Sequence, residues 1–339
     1  MLSDANSNYF NMLGFIVKIN AHQQHQNQIL VPFLNQHSID KHDNPDQSVH
    51  LEVDLYSVAE LSPQEKNSGF FIFKVRMAEV YQISLSLRKL KYKTKDQSEC
   101  YGFDNTLQNK RNFKLFCDST SVANEILYFY LLSAFGEFIE LKAHSRIHAA
   151  AFVDKNDRGM LVYGTEGSGK STLALQALAD DRLTVLSDEI AILNSKSTQL
   201  EFLNLPLSVF AKQLTSASKD LQVSIKFEHF FQGKVFLHLK NYLKPKTKIF
   251  VKQIFVLTEK KTSKIKCQLL LFFGLISGKG LPQMLEYFLR PNSVHKIVQI
   301  LFFRVLFAIK LLAKADVFNL EKTTDSGDRL GLLHLKINQ

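Results

Sequence analysis

The chain has 339 residues, which is too long for one ordinary core, so one large domain or two smaller ones are expected. Hydrophobic residues make up 45% and charged residues 22%, a composition that indicates a globular protein and excludes a disordered chain. The three cysteines, Cys100, Cys117 and Cys267, lack metal-ligand spacing, and their odd number favours a reducing compartment without structural disulfides. The N-terminus has no cationic segment before an apolar core, so no signal peptide is predicted and a cytoplasmic location is expected.

The formal net charge is +10, and the excess lies in the C-terminal third. Residues 240–315 contain fifteen Lys or Arg and two acidic residues, so an electrostatic partner would meet this third. Residues 296–315 (KIVQILFFRVLFAIKLLAKA) are apolar, but Arg304 and Lys310 leave an uncharged run far shorter than the ~20 residues of a membrane span. Two interpretations stay open, a buried amphipathic helix of a soluble protein or a basic helix lying on a membrane surface.

Taken in chain order, residues 1–118 are predicted to form a β-rich N-terminal domain. Short segments in which apolar and polar residues alternate, as half-buried strands require, are separated by turn-rich pieces. The polar insertion 21–28 contains His22 and His25 without a third ligand, so it is predicted to be a solvated loop. The segments predicted as strands are 49–56, 69–75 and 80–90.

The pattern changes at residue 119, and residues 119–339 are predicted to form a second domain. Residues 119–141 carry a Ser or Thr cap and apolar residues at helical spacing, which predicts one long helix. The order of elements after it predicts an α/β core. These elements are a strand at 145–154, a hairpin turn at 155–159, a strand at 160–164, a helix at 170–181, a strand at 182–193, a strand at 252–260, and two or three C-terminal helices.

A glycine-rich turn follows the second strand of the hairpin. In LVYGTEGSGKST (161–172), Gly164, Gly169, Lys170 and Ser171 complete G-x-x-x-x-G-K-[ST], the P-loop or Walker A pattern. Glycine permits the backbone angles that turn N–H groups toward a phosphate, and the following helix adds its positive end. Lys170 is expected to reach the β- and γ-phosphates of ATP, and the Ser171 hydroxyl to bind Mg²⁺. The residues predicted to hold the nucleotide are Gly164, Thr165, Glu166, Gly167, Ser168, Gly169, Lys170, Ser171 and Thr172.

Two acidic residues follow the next apolar segment. Asp188 and Glu189 are predicted to complete the metal site with Ser171, because their strand is expected to lie beside the strand of the P-loop. Asp188 follows Lys170 by 18 residues, a gap filled by one short helix. His148 lies sixteen residues before Gly164 on the preceding predicted strand, and the hairpin would bring that strand alongside the strand that leads into the turn. From its residue type alone, His148 is either a packed strand residue or a functional one.

These motifs resemble the catalytic domain of HPr kinase/phosphorylase and of HPr-serine-kinase-like proteins. The resemblance rests on IHAAAFVDKNDRGMLVYGTEGSGKSTLALQAL followed by LSDE. It is strong over residues 125–193, and VFNLEKTTDSGDRLGLL near the C-terminus is similar to the kinase-like relatives. The resemblance implies an α/β fold with a P-loop core of the HPr kinase and phosphoenolpyruvate carboxykinase type, acting on ATP with Mg²⁺.

The resemblance also implies roles for individual residues. Asp188 matches the first acid of the family's pair, which acts as general base or acid on the substrate hydroxyl or at Mg²⁺, and Glu189 stands where the family has a second Asp. His148 matches a histidine near the transferred phosphoryl group, and Lys170 is the third catalytic candidate. The family's second signature, an acidic-Arg-Gly run, is absent from residues 194–210. The chain is therefore identified as a divergent member, and HPr itself is not its expected substrate.

Three functions follow as hypotheses. The first is a kinase that transfers the γ-phosphoryl group of ATP to a hydroxyl acceptor, a protein or peptide serine. The second is an ATP-binding regulatory or partner subunit without phosphotransfer activity. The third uses the basic C-terminal third to bind a membrane or nucleic acid, although no nucleic-acid motif is present. The sequence leaves the acceptor and the nucleotide preference open, and it is compatible with a homo-oligomer.

Overall fold

The computed structural model describes residues 6–21, 38–39, 49–74, 78–93, 98–107, 110–165, 167–178, 182–188, 190–201, 203, 207–210, 223–229, 234–239, 248–277 and 293–321. Its architecture is mixed α/β with large β-sheets, in agreement with the α/β class predicted from the sequence. The chain divides into two compact units. The first comprises Met1–Phe138, Phe227–Gly233 and Glu286–Ser293, and the second comprises Ile139–Lys226, Lys234–Leu285 and Val294–Gln339.

The first unit is built on one large sheet. Among the described residues, nine strands lie in the order β3-β1-β2-β4-β9-β8-β7-β6-β5, where β2 and β9 flank β4 in parallel and the other neighbours are antiparallel. The elements are β1 (Asn6–Met12), β2 (Phe15–Ala21), β3 (Ser38–Ile39), β4 (Leu51–Tyr56), α1 (Pro63–Asn67), β5 (Phe70–Lys74), β6 (Ala78–Gln82), β7 (Leu87–Lys93), β8 (Glu99–Leu107), β9 (Lys110–Phe116) and α2 (Thr120–Leu141).

The predicted strands of this unit are largely confirmed. Segments 49–56 and 69–75 contain β4 and β5, and alternate residues of β4 are buried as its pattern requires. The prediction of a single strand at 80–90 is wrong, because the chain turns there and the backbone N–H groups of Ile83 and Ser84 both donate to the carbonyl oxygen of Leu87. In the insertion 21–28, all but the first residue lie outside the described residues.

The prediction that no cysteines pair is also wrong. Cys100 in β8 and Cys117, just after β9, form a disulfide with their Cα atoms 4.7 Å apart. The antiparallel register of β8 and β9 pairs Tyr101 with Phe116, which places the two cysteines opposite each other. A separation of 17 residues did not reveal this pairing, because the hairpin register that aligns them is a tertiary feature. Cys267 is free and buried.

The long helix predicted at 119–141 is confirmed as α2. Within the first unit it covers the sheet, where the ring of Tyr130 stacks on that of Phe113 in β9 with centroids 3.7 Å apart. By length and composition α2 could cross a membrane, yet 72% of its most apolar stretch is buried inside the structure. This burial is the property of a core helix.

The remaining elements belong to the second unit, which also includes residues 139–141 of α2, whereas residues 227–229 and 293 belong to the first unit. In the described part of the chain they are β10 (His144–Ile147), β11 (Ala149–Asp154), β12 (Arg158–Tyr163), α3 (Lys170–Leu178), β13 (Leu183–Ser187), β14 (Ala191–Asn194), β15 (Leu200–Glu201), β16 (Leu207–Phe210), β17 (Val223–His229), β18 (Lys234–Leu239), β19 (Phe250–Thr258), α4 (Lys264–Ser277), α5 (Ser293–Lys314) and β20 (Asp316–Glu321). The sheet orders are β13-β11-β12-β19-β20, β10-β14-β15 and β16-β18-β17.

The five-stranded sheet of the second unit is covered by helices on both faces. Alternate residues of β11 point to opposite faces, so Ala149 and Ala151 join one core and Ala150 and Phe152 the other. The first core includes residues of α4 and α5, and the second includes residues of α3. This three-layer arrangement explains why β11, β12 and β13 read as nearly continuous apolar runs.

The strands at 145–154 and 182–193 were each predicted as one element, and both predictions are wrong. The chain bends at His148 between β10 and β11, and it leaves the sheet after Ser187 before β14 begins. Each segment therefore supplies one strand to the five-stranded sheet and one to the sheet β10-β14-β15. Since neither Gly nor Pro marks either break, the sequence pattern alone did not show it.

Candidate functional site

The glycine-rich turn connects the end of β12 at Tyr163 to the start of α3 at Lys170. Gly167 and Gly169 have φ values of 78° and 98°, in the left-handed region that favours glycine. Gly164 is required for a different reason, since a Cβ there would lie 2.5 Å from Oγ of Ser168 and 3.0 Å from Cβ of Leu257. The turn is therefore tightly wound, as its spacing of glycines predicts.

Lys170 lies inside this turn rather than in solvent. Only 6% of the residue is exposed, and its ammonium donates hydrogen bonds to the carbonyl oxygens of Gly164 (2.8 Å) and Thr165 (2.9 Å). The turn and the first residue of α3 thus hold a positive charge at the carboxyl end of β12. Hydrogen bonds to charged groups are stronger than neutral ones, so this arrangement fixes the lysine side chain.

The N-terminus of α3 adds backbone donors to the same place. The N–H of Leu173 donates to the carbonyl of Gly169 at 3.0 Å. The N–H groups before it lie in the part of a helix that has no intrahelical acceptor. Ser171 and Thr172 lie in this first turn and are half-buried, and Glu166 lies outside the described residues. Backbone N–H groups at a helix N-terminus and the helix dipole together make this end favourable for an anion.

The sheet brings His148 to the same edge. Because β11 runs antiparallel to β12, its first residue, Ala149, pairs with Tyr163, the last residue of β12. His148 directly precedes Ala149, so it lies at the level where the glycine-rich turn begins, and it is half-buried. The hairpin that the sequence predicts thus places His148 beside the turn.

Asp188 reaches this edge from the other side of β11. The prediction that its strand lies beside the strand of the turn is wrong, because β11 lies between β13 and β12. Ala151 of β11 pairs with Leu161 on one side and with Ser187 on the other, so Ser187 lies two strand spacings, about 10 Å, from Leu161, which precedes the end of β12 at Tyr163. Asp188 follows Ser187 and is 4% exposed. Glu189 lies outside the described residues.

Tyr163 links the turn to the helix layer on one face of the sheet. Burial raises the pKa of its hydroxyl above the ordinary value, so the side chain is neutral over the physiological range. The hydroxyl packs against Gly274 in α4, where there is no space for a Cβ. The side chain of Tyr163 is therefore part of the packing between the sheet and α4, and it adds no charge beside the turn.

A cleft of about 430 Å³ opens beside the turn. One wall is the turn itself, through Thr165, Gly167 and Ser168, and the other is the end of β19 with the segment that leads into α4. Residues of the second wall include Thr258, Glu259, Lys260, Thr262 and Lys266. In open α/β sheets, ligands bind beyond the carboxyl ends of the strands.

Sequence reasoning missed this second wall. The strand at 252–260 was predicted and is confirmed as β19, but its position in the sheet was not. Parallel pairing of β12 with β19 aligns their carboxyl ends, which brings Thr258 next to the turn. The usable signal was the apolar strand followed by TEKKT, a polar segment at a carboxyl end of an α/β sheet.

The residues at this edge combine a backbone rich in N–H donors, a buried ammonium, a buried carboxyl group and an imidazole. The donors and Lys170 can bind an anion, and Asp188 and His148 can accept or donate a proton. Among the described residues, no group of three or more His, Cys, Asp or Glu side chains could hold a metal ion. A Mg²⁺ ion bound by one or two carboxylates and substrate phosphates does not need such a group.

No protein-family model and no curated protein matches the chain.

Proposed function

We propose that the protein is an ATP-dependent kinase with a P-loop core of the HPr kinase type, which transfers a phosphoryl group to the hydroxyl of a protein or peptide. The observation that carries the proposal is the position of Lys170. Its buried ammonium is held by the carbonyl oxygens of Gly164 and Thr165 at the N-terminus of α3. A buried lysine beside backbone N–H groups at a helix start is suited to an incoming anion.

The residues present fit a triphosphate. The missing Cβ at Gly164 lets the turn close on Ser168, and a Cβ at Gly167 would meet no atom within 4 Å, so the turn has open space on that side. A phosphate in the turn would receive backbone N–H groups and the charge of Lys170. The cleft next to it provides room for the rest of a nucleotide or for an acceptor.

Ser171 and Asp188 would hold Mg²⁺, with Glu189 as a further candidate ligand. When bound, Mg²⁺ neutralises charge on the β- and γ-phosphates. Lys170 stabilises the charge that gathers on the phosphate oxygens in the transition state, and the turn fixes the phosphates in line with the acceptor.

A proton must leave the acceptor hydroxyl during transfer. Asp188 is the favoured general base, because a buried carboxylate at the same edge as the turn can accept a proton without competing water. His148, half-buried at the start of β11, would lie near the transferred group and can hold a proton there. Both residues directly adjoin strands of the five-stranded sheet, β11 and β13, which keeps them in position relative to the turn.

The test uses γ-labelled ATP with the full chain, with water and serine-containing peptides as acceptors. Lys170→Ala is expected to lower the rate of phosphoryl release or transfer by about 10²–10³-fold, the usual effect of removing one preorganised donor to a developing charge. Lys155→Ala, in the exposed hairpin turn at the other end of β11 and β12, is the matched control and should keep the rate.

The outcome decides between the hypotheses. Undiminished turnover in folded Lys170→Ala would refute the assignment of the site. Tight binding of ATP that depends on Lys170, without release or transfer of the label, would instead identify an ATP-binding regulatory subunit.

A further inference from the structure

The outer faces of α4 and α5 carry an unusual amount of exposed apolar surface. Both helices pack on the same face of the five-stranded sheet through one apolar core, so the outer sides of both helices face away from the sheet. On α4 the exposed side chains Ile265, Leu269 and Phe273 recur every four residues. On α5 the exposed side chains are Val298, Phe302, Leu306 and Ile309.

Spacing of three and four residues places each set along one side of its helix. We name these seven side chains the outer apolar face. Each helix also has a buried side, which on α5 includes Phe307 and Leu311. A helix that is apolar on both sides is normally covered on both sides. Large exposed apolar patches on soluble proteins mark interaction sites, which makes this face a candidate interaction surface.

The charges around the outer apolar face indicate its partner. Neither helix contains an Asp or Glu. Lys264 is the first residue of α4 and Lys314 is the last residue of α5, and both are exposed. Arg304 does not contribute to the surface charge, since it is buried and its guanidinium contacts the carboxylate of Glu140 at 2.7 Å. An apolar face with lysines and without acids matches a surface that is both apolar and anionic.

A second copy of the chain does not match this face. In a two-fold symmetric dimer the same patch meets itself, which would bring Lys264 and Lys314 of one copy toward those of the other. With no acidic residue on either helix, the two helices would offer Lys264 and Lys314 no opposite charge across such an interface. A nucleic acid would match the lysines but would leave the outer apolar face exposed to water.

We propose that the outer apolar face docks on an anionic lipid membrane. The apolar side chains of α4 and α5 lie in the boundary between headgroups and acyl chains, and Lys264 and Lys314 contact the anionic headgroups. The docking is peripheral, because α5 contains charged residues that a membrane span excludes and its other side belongs to the protein core. This inference does not depend on the kinase proposal, since none of these side chains lines the cleft beside the glycine-rich turn.

The experiment is co-sedimentation of the full chain with phosphatidylcholine vesicles, with and without phosphatidylserine. Binding is expected to the anionic vesicles, and it should weaken as salt screens the lysines. Phe273→Glu/Phe302→Glu should lower the partition constant by about 100-fold or more, because two aromatic side chains no longer enter the membrane. Lys264→Gln/Lys314→Gln should lower it by about 30-fold.

Matched control variants distinguish binding through the outer apolar face from nonspecific binding through other exposed side chains. Phe70→Glu alters an exposed phenylalanine of β5, 67% exposed compared with 64% for Phe273, and should leave vesicle binding unchanged. Lys252→Gln alters an exposed lysine on β19 rather than on either helix, and should likewise have no effect.

Three results would overturn the proposal. They are absence of binding to the anionic vesicles, equal loss of binding in the control variants, and a dimer in light scattering that Phe273→Glu/Phe302→Glu dissociates. Circular dichroism and thermal unfolding of each variant establish that any loss comes from a folded protein.

Discussion

Gly164→Ala tests the close packing of the glycine-rich turn most directly. The added methyl group would lie 2.5 Å from Oγ and 3.1 Å from Cβ of Ser168, and 3.0 Å from Cβ of Leu257. The serine side chain can rotate, but Cβ of Leu257 is attached to the backbone of β19 and cannot move without shifting the strand. Overpacking of this kind costs about 1–3 kcal/mol in the free energy of unfolding.

The clash can be assigned with a double-mutant cycle. Ser168→Gly removes two of the three close contacts, so Gly164→Ala should cost less in that background than in the wild type. We expect a coupling of about 1 kcal/mol between the two positions, because residues in direct contact are not additive. Gly167→Ala is the matched control, since a methyl there meets no atom within 4 Å and its cost comes only from the φ of 78°. That cost is about 1–2 kcal/mol and should be independent of Ser168.

Urea unfolding and binding of a fluorescent ATP analogue measure both consequences. Because displaced backbone no longer aligns its N–H groups, Gly164→Ala should also weaken nucleotide binding by about tenfold or more if the kinase proposal holds. An additive cycle, or an alanine at 164 that changes neither stability nor binding, would refute the described conformation of the turn.

Two further predictions concern charged groups away from the turn. Glu140 is 1% exposed, and its Oε1 accepts hydrogen bonds from two buried arginines. Because Glu140→Ala leaves these arginines without their carboxylate, it should lower the free energy of unfolding in urea by about 3–5 kcal/mol. An unchanged midpoint of the urea titration would contradict this. For Glu52, burial opposes ionisation, but hydrogen bonds from Lys110 and Asn20 hold its pKa below the ordinary 4.5. Since the folded-state pKa is the lower one, this stabilisation is present above pH 4.5 and is lost as pH falls through the folded-state pKa. Between about pH 3 and 6, the range in which carboxylates titrate, the free energy of unfolding of Glu52→Gln should therefore depend less on pH than that of the wild type. Parallel curves of unfolding free energy against pH for the two proteins would exclude this contribution.

Sequence patterns within a few residues predicted most helices and strands around the site. The features that they did not predict depend on pairing between strands that are distant in the chain. The turn residues between β11 and β12 form a real hairpin, in which Oδ1 of Asp154 accepts hydrogen bonds from the backbone N–H groups of Asn156 and Arg158, both at 2.9 Å. Such contacts lie within a few residues, so the sequence contains their signal. The disulfide between Cys100 and Cys117 depends on strand register, which no short pattern specifies.

The candidate site shows the same division. The position of Lys170 at a helix start after glycines followed from the motif alone, and the structure adds that the side chain is buried against two carbonyls. The insertion of β11 between β12 and β13 could not be predicted, because apolar strands of similar length pair equally well in several orders. That insertion determines how far Asp188 lies from the turn, which makes strand order the decisive unknown for a metal site.

Helix α4 contributes to both proposed functions, and its periodicity keeps them separable. Lys266 and Leu270 line the cleft beside the turn, whereas Ile265 and Leu269 precede them by one position and belong to the outer apolar face. Successive residues of an α-helix point about 100° apart, so neighbouring positions can serve different surfaces. Substitutions on the outer face therefore change the membrane contact without entering the cleft. The phosphoryl-transfer assay and the vesicle-binding assay therefore test the two proposals separately, and a negative result in one assay does not bear on the other proposal.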